Sequence, residues 1–283
     1  MKRKTNIVQL FNRTFLVACC LLSAFSINAQ TYEECIEQGM NYAKEKQLEK
    51  AETAFREALK KSPDDFRNAL VYANIAHLQE AQGEPMKALE SYTLAINILP
   101  LNVPILKARG DLYFTLKNYN KAIIDYGNIL DVDPNNKEVL QYRAYIYQQR
   151  RQYMEAKQDY EKLLTLDPEN YEALLGVAIL FQNANKPQEA LSRLAILMEK
   201  YPDKAELYSV RAEIEAEAGH TELAIMDLNK AIQLEPNNTN MILTRGYIHL
   251  GEGHKHLAQQ DFEKAISLGI PRGQLLEELK KCK

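Results

Sequence analysis

The sequence predicts an all-α fold, a right-handed α-solenoid in which helix-turn-helix units stack one after another. The stretch YNKAIIDYGNILDVDPNN at 119–136 recurs 34 positions later as YMEAKQDYEKLLTLDPEN at 153–170, and a third copy, TELAIMDLNKAIQLEPNN, occupies 221–238. Bulky residues inside each copy recur at helical spacing, and a proline near the end of each copy stops the helix. A recurrence of this period is typical of a solenoid, because one helical pair cannot bury its apolar faces alone.

An alanine shared by all copies places the repeats along the chain. These alanines are Ala51, Ala88, Ala122, Ala156, Ala190, Ala224 and Ala258. Each step from Ala88 onward is 34 residues, whereas the first step is 37 and indicates a three-residue insertion at 66–68. The predicted repeats, numbered 1 to 7, are 32–65, 69–102, 103–136, 137–170, 171–204, 205–238 and 239–272. Residues 273–283 are expected to form a capping helix, which would make 30–283 a single solenoid domain.

Two positions of every repeat hold small residues. Position 20 is the shared alanine, and position 8 is Gly39, Ala76, Gly110, Ala144, Ala178, Ala212 or Gly246. Helices approach closely only where neither carries a large side chain, so the two helices of a repeat are expected to nest here. Position 24 is aromatic or leucine, and a proline closes each of the first six repeats. This pattern resembles the tetratricopeptide repeat, and the resemblance covers almost all of the chain after residue 30.

Prolines and asparagines predict where individual helices begin. Pro85 and Pro187 are expected at the first position of a second helix, where the missing N–H costs nothing. Asn136, Asn170 and Asn238 follow the closing prolines and are expected to cap the next first helix.

The first 29 residues predict a secretory signal peptide. Four basic residues precede or flank the apolar run 15–27, and Ala29 offers a small residue for cleavage. The run is shorter than the roughly 20 residues that a membrane-spanning helix needs. The alternative is a lipoprotein box, LVAC at 16–19, with a lipidated Cys19. We expect an exported protein of the bacterial cell envelope, periplasmic or secreted.

Charge and cysteine content exclude several classes of protein. Cleavage after Ala29 would remove four basic residues and change the net charge from −3 to −7. An acidic chain of this kind is not expected to bind nucleic acid or anionic membranes generally. The remaining cysteines, Cys35 and Cys282, lie near opposite ends and do not indicate a disulfide scaffold. Cys35 is expected to be buried and Cys282 to fray.

The C-terminal tail QLLEELKKCK carries a stripe of three leucines. Leu275, Leu276 and Leu279 are expected to face the last repeat, while the intervening charged residues face water. This amphipathic pattern is the basis for predicting a capping helix.

No motif for catalysis or for a cofactor occurs after residue 30. The chain lacks a glycine-rich phosphate loop, a nucleophile elbow and a Cys-x-x-Cys pair there, and most of its acidic residues are expected on solvated helix faces. We therefore predict neither an enzyme nor a cofactor. The histidines are expected to be surface residues, with His249 in the core. The alternative is that His220 and His254, which occupy equivalent turns of adjacent repeats, hold a divalent metal ion together with His256.

Arg143, Arg150 and Arg151 form a small basic cluster in repeat 4. Nucleic-acid binding requires a basic stripe across many repeats, and Glu138 and Glu155 dilute this cluster. We interpret it as a solvated helix face.

The resemblance implies a binding surface on the first helices. Positions 2, 5, 9 and 12 of each first helix would line a concave groove that holds an extended peptide or a partner's helix. The candidate contact residues are Lys107, Asp111, Phe114, Gln141, Tyr145, Gln148, Leu175, Ile179, Gln182, Ser209 and Glu213. The face lacks the Lys and Asn set with which some family members bind a C-terminal carboxylate. Its amides, aromatic and apolar side chains favour a protein segment of neutral or basic character.

The expected function is a non-catalytic scaffold in the cell envelope that binds a protein or peptide segment. A self-assembling or oligomeric envelope component, with Cys282 bridging two chains, is the first alternative. A metal-binding or enzymatic protein is the second.

Overall fold

A computed structural model describes residues 30–283. The predicted signal peptide and the alternative lipid site at Cys19 lie outside this range. Helices and their connecting turns make up the described chain, with no strand between residues 30 and 283, which confirms the all-α class. The chain divides into two compact units, one ending at Asn128 and the other formed by Ile129–Lys283. A single continuous domain therefore stays a prediction.

Seven consecutive helix pairs occupy residues 32–267, followed by a short C-terminal segment. The N-terminal unit contains α1 (Tyr32–Lys44), α2 (Leu48–Lys61), α3 (Asn68–Ala81), α4 (Pro85–Ile98) and α5 (Val103–Thr115), and α6 (Tyr119–Val132) includes the boundary. The C-terminal unit contains α7 (Lys137–Gln149), α8 (Tyr153–Leu166), α9 (Tyr171–Asn183), α10 (Pro187–Lys200), α11 (Ala205–Glu217), α12 (Thr221–Leu234), α13 (Thr239–Gly251), α14 (Lys255–Ser267), a 3₁₀ turn (Arg272–Leu275) and α15 (Leu276–Lys281). Odd-numbered helices up to α13 are the A helices of the repeats and even-numbered ones are the B helices. No helix within 30–283 has the length and apolar character to cross a membrane.

Asparagine side chains cap the A helices at the predicted places. The Oδ1 atoms of Asn136, Asn170 and Asn238 accept the backbone N–H three residues later at 3.1, 3.0 and 3.4 Å. Asn102 caps α5 in the same way. Each cap satisfies an N–H that has no partner within its helix. The two prolines predicted to begin B helices are the first residues of α4 and α10.

The turn between the A and B helices holds one left-handed residue at position 15 of every repeat. These residues are Lys46, Gly83, Lys117, Arg151, Asn185, Gly219 and Gly253, with φ between 56° and 82°. The backbone must reverse direction within a few residues here, and a positive φ allows it to do so. Glycine adopts this conformation at no steric cost, whereas lysine and arginine adopt it with strain.

Small residues nest the two helices of each repeat, as predicted. All seven shared alanines are 0% exposed. A Cβ added to Gly39 would lie 2.7 Å from the ring of Phe55, and one added to Gly110 would lie 2.9 Å from the ring of Tyr126. Position 8 is therefore small because the ring at position 24 of the same repeat occupies the space beside it.

The last residue of the insertion at 66–68 holds the longer connection in place. Asn68 is the first residue of α3 and is buried, and its Nδ2 donates to the carbonyl oxygens of Ser62 and Pro63 at 2.6 and 3.0 Å. The side chain thus fastens the longer connection to the end of α2.

The C-terminal segment differs from its prediction in two side chains. Leu275 and Leu279 are buried against α14 as expected, but Leu276 is 47% exposed. Cys282, which was expected to fray, is 7% exposed and packs in the same cluster as Leu279. Both changes follow from the 3₁₀ turn before α15, which shifts the apolar stripe of the helix onto the cysteine. A buried Sγ also removes the basis for a disulfide between two chains. Cys35 is buried, as predicted.

Candidate functional site

The A-helix face, defined by positions 2, 5, 9 and 12 of the A helices, is continuous across α7, α9 and α11. Neighbouring A helices contact each other in the C-terminal unit, so their outward side chains form one surface. Seven of the eight predicted contacts on these helices are at least partly solvent-accessible: these are Gln141, Tyr145, Gln148, Ile179, Gln182, Ser209 and Glu213. Tyr145 is the most open apolar anchor, at 41% exposure.

Leu175 does not belong to this face, and its assignment as a contact residue was wrong. It is 3% exposed and packs in a cluster with Leu194 of its own repeat and Leu207 of the next. A leucine at position 5 gains more from burial against the next repeat than it would from exposure at the surface.

Hydrogen bonds hold the two predicted amides in place. The Tyr160 hydroxyl donates to Gln148 Oε1 at 3.2 Å, and Gln182 Nε2 donates to Glu217 Oε2 at 3.2 Å. Each bond fixes the plane of its amide, which keeps at least one N–H donor and one acceptor lone pair for a ligand. The surface therefore presents oriented amides beside the Tyr145 ring.

Carboxylates give the face of α9 and α11 an acidic character. Burial raises the pKa of Glu206, and the neighbouring charge of Glu172 raises it further. Burial, followed by the charge of Glu217, also raises the pKa of Glu213. Both carboxylates are open to water, yet they lie among enough protein atoms to lose part of their hydration. A positively charged ligand would relieve this electrostatic cost.

The corresponding face of the N-terminal unit contains Lys107, Asp111 and Phe114. Lys107 Nζ lies 2.7 Å from Asp111 Oδ2, and the Tyr126 hydroxyl donates to Asp111 Oδ1 at 2.8 Å. The ring of Phe114 lies 6.0 Å from that of Tyr119, centroid to centroid. A ligand here would have to compete with these contacts within the chain.

Comparison with known proteins identifies the family. Models described as Tetratricopeptide repeat match residues 32–65, 107–136, 126–158, 147–214, 205–238 and 240–268. A tetratricopeptide repeat protein from Parabacteroides merdae is 32% identical in its crystal structure. That alignment covers 89% of this chain and 98% of the other, with a TM-score of 0.73. The chain belongs to the tetratricopeptide repeat family.

Two further proteins are similar to parts of the chain. YrrB, described as having an unusual peptide-binding site, is 22% identical, with coverage of 66% of this chain and 95% of YrrB and a TM-score of 0.53. BBSome complex member BBS4 from Bos taurus is 31% identical over 105 residues, which are 37% of this chain and 20% of BBS4. The match thus spans only a fifth of BBS4. Tetratricopeptide repeats are in general scaffolds for protein–protein interaction.

Four buried ion pairs inside the repeats were missed from the sequence. An arginine at position 7 of the A helix donates two hydrogen bonds to an aspartate at position 23 of the B helix. The pairs are Arg109–Asp125, Arg143–Asp159, Arg211–Asp227 and Arg245–Asp261, with N···O distances of 2.5 to 2.9 Å. All four aspartates are less than 10% exposed. The bond to Asp159 raises the pKa of Arg143.

These pairs correct one interpretation made from the sequence. Arg143 belongs to the interior of repeat 4 rather than to a solvated basic cluster with Arg150 and Arg151. The four aspartates are exceptions to the expectation that most acidic residues lie on solvated helix faces. A signal for them was present, since arginine precedes aspartate by 16 residues in four repeats at the same two positions.

The histidines within residues 30–283 are not arranged as the ligands of a metal ion. His220 Nδ1 lies 2.7 Å from Glu215 Oε2, and His249 is buried, as its core position predicted. Burial lowers the pKa of His249, whose ring centroid lies 5.8 Å from that of His254. Within residues 30–283, no group of three or more His, Cys, Asp or Glu side chains converges on a point where a metal ion would fit.

Proposed function

We propose that this protein is a non-catalytic scaffold that binds a protein segment of neutral or basic character on the A-helix face of α7, α9 and α11. The segment is extended or helical, and it is held by side chains from three adjacent repeats. The observation that carries the proposal is the combination of an exposed Tyr145 with oriented amides and with carboxylates whose pKa values are raised.

Each component of the face has a part in binding. Tyr145 and Ile179 supply apolar area, which contributes most of the affinity at protein interfaces. The amides of Gln148 and Gln182 satisfy backbone N–H and C=O groups of the segment. Glu206 and Glu213 attract lysine or arginine side chains, because a nearby positive charge stabilises their ionised form.

We further propose that binding occurs in the cell envelope after export. The charge and apolar pattern of residues 1–29 supports this location. The fusion of those residues to a reporter enzyme that is active only outside the cytoplasm tests it, and a reporter that stays inactive would contradict it.

Site-specific photo-crosslinking in the native host tests the binding face. A photoreactive amino acid placed at Tyr145 or Ile179 is expected to capture the same partner. The control is Gln158, which is exposed on the B helix α8 of the same unit. Capture from Gln158 with none from Tyr145 or Ile179 would refute the proposal.

A second variant links the capture to electrostatics. Glu206→Gln and Glu213→Gln remove the negative charge with little change in shape. Together they are expected to weaken binding of the captured segment about two- to fivefold for each ion pair lost, as for other solvent-accessible pairs. An affinity unchanged by both substitutions would show that the segment does not use the acidic surface.

A further inference from the structure

A cavity of about 290 Å³ opens between α8, α9 and α10, away from the A-helix face. Val177, Leu180 and Phe181 of α9 form its apolar floor. Tyr153 and Met154 of α8 form one wall, and Met154 is 70% exposed. Because a methionine side chain is flexible and fills irregular gaps, Met154 makes this wall the most adaptable apolar surface of the cavity.

Repeat 5, which lines the cavity, lacks the ion pair that joins the A and B helices of repeat 4. Positions 7 and 23 are Arg143 and Asp159 in repeat 4, but Val177 and Arg193 in repeat 5. Valine is too short to reach the B helix, and arginine at position 23 has no aspartate opposite it. Arg193 instead stacks over Phe181, with its guanidinium carbon 4.7 Å from the ring centroid.

The rim of the cavity is positively charged. Lys157, Lys186 and Arg193 line it together with a single carboxylate, Glu161, which lies 3.5 Å from Lys157. Neither Lys186 nor Arg193 has an ion-pair partner within residues 30–283. An excess of positive charge around one apolar cavity stands out in a chain whose net charge is −3.

We propose that this cavity is a docking site for an acidic segment of a partner protein that inserts one aromatic side chain. The volume lies at the lower limit of the roughly 300–1,000 Å³ found for small-molecule sites, so it suits one large side chain better than a whole cofactor. Aromatic residues act as anchors in such pockets, and arginine forms bidentate bonds with carboxylates. The ring occupies the space above Val177, and the flanking carboxylates meet Arg193 and Lys186.

This site is separate from the face proposed above. Its floor uses positions 7, 10 and 11 of α9, whereas the A-helix face uses positions 9 and 12 of the same helix. The two surfaces also carry opposite charge, so they select different segments. One scaffold would thereby bring two partners together, one on each side of repeat 5.

A synthetic peptide with a single tryptophan tests the proposal directly. The chain contains no tryptophan, so all tryptophan emission comes from the peptide. The probe is acetyl-Glu-Asp-Glu-Trp-Glu-Asp-amide, titrated with purified residues 30–283. We expect a blue shift of the emission as the ring leaves water, and a saturable curve. The same peptide with alanine in place of tryptophan is expected to compete at least tenfold more weakly.

Two substitutions of the chain separate the cavity from other surfaces. Val177→Arg with Arg193→Asp rebuilds the ion pair of repeat 4, fills the cavity and reverses one rim charge, and it is expected to weaken binding at least tenfold. Arg193→Gln changes an exposed side chain alone and is expected to weaken binding two- to fivefold. Tyr145→Ala on the A-helix face is the matched control and is expected to leave the affinity unchanged. Melting curves establish that each variant is folded.

The proposal is overturned if the acidic peptide binds the native chain no more tightly than it binds the rebuilt variant and the Arg193→Gln variant. It is also overturned if the alanine peptide competes equally well, or if acetyl-Lys-Arg-Lys-Trp-Lys-Arg-amide binds the cavity with the same affinity. The basic peptide could instead bind the A-helix face. In that case Tyr145→Ala would abolish its binding and the rebuilt variant would retain it, which supports two sites of opposite charge preference.

Discussion

Repeats 4 and 5 have the same backbone plan and different interiors. Both have an A helix of 13 residues and a B helix of 14, and the alanine at position 20 is 0% exposed in each. Repeat 4 joins its helices with the Arg143–Asp159 pair, whereas repeat 5 has Val177 and Arg193 at the same positions. Because the helices have the same lengths in both, small residues set the nesting and the ion pair is an added feature.

The comparison also shows what happens to the space that an ion pair leaves. In repeat 4 the guanidinium and the carboxylate fill the gap between the two helices. In repeat 5 the gap is a cavity with an apolar floor. The two repeats thus differ in their interiors although their helices have equal lengths.

The largest expected effect comes from breaking the pair in repeat 4. Arg143→Met leaves Asp159 buried without its partner, and we expect a loss of about 3 kcal/mol in the free energy of unfolding. Arg193→Gln in repeat 5 should cost less than about 0.5 kcal/mol, because that side chain is exposed. Urea unfolding followed by circular dichroism measures both.

The double variant Arg143→Met/Asp159→Leu is the control for this difference. Replacing both charges with apolar groups removes the unpaired carboxylate, so most of the lost stability should return. A double variant as unstable as Arg143→Met would show that the pair itself, rather than the stranded charge, stabilises the repeat.

The second expected effect is equal in the two repeats. Ala156→Leu and Ala190→Leu place a large side chain where both alanines are fully buried. Each should cost about 1–3 kcal/mol through overpacking. A much smaller cost in repeat 5, measured by the same unfolding experiment, would mean that its cavity absorbs the strain and that nesting differs between the repeats.

A smaller effect distinguishes the turns of the two repeats. Arg151 and Asn185 have φ angles of 59° and 57°. Arg151→Gly should stabilise the protein by about 0.5–1 kcal/mol, because glycine relieves the left-handed strain. Asn185→Gly should gain less, since asparagine tolerates this conformation better than arginine. Equal melting temperatures for Arg151→Gly and the native chain would show that the turn is unstrained.

The smallest expected effect concerns the carboxylates that meet between repeats 5 and 6. The folded-state pKa of Glu206 is raised above its ordinary value of 4.5, mainly by burial and then by Glu172. Such a group adds stability below its unfolded pKa, and this stability is lost as the pH rises through the folded value. Glu206→Gln should therefore raise the melting temperature at pH 7, by only about 1 °C because solvent screens the repulsion. Near pH 4 the substitution should leave the melting temperature unchanged.

An exposed carboxylate of repeat 4 provides the control for that pH dependence. Glu155→Gln on α8 removes the same charge away from Glu172, and it should leave the difference between pH 7 and pH 4 unchanged. If both substitutions shift the melting temperature equally, the effect comes from net charge alone.

Most of the backbone plan was predictable because its causes are local. The asparagine caps and the prolines each act within a few residues of their place in the sequence, and the alanine at position 20 recurs in every repeat. The interior pairs were harder to foresee, since Arg143 meets Asp159 only after the two helices nest. Both residue types are usually found on the surface, and only their recurrence at a separation of 16 residues indicates burial.

The exposure of the candidate contact residues was predictable for most side chains but not for all. The spacing of positions 2, 5, 9 and 12 correctly placed Tyr145 and Gln182 on the open face. Leu175 follows the same spacing and is buried, because the next repeat covers it. The repeat pattern did not predict the cavity, because the cavity lies in a repeat that lacks the Arg–Asp pair.

The asparagine caps mark points at which a whole repeat could be removed from the chain. Asn170 precedes the first helix of repeat 5, and Ala205 begins the first helix of repeat 6. Excision of residues 171–204 would join the two and put an asparagine in front of α11, which now begins after Lys204 without a side-chain cap. The shortened protein would have ion-paired repeats on both sides of the junction and no basic-rimmed cavity. Gain or loss of one 34-residue block is thus a simple route by which a protein of this design would acquire or lose such a cavity.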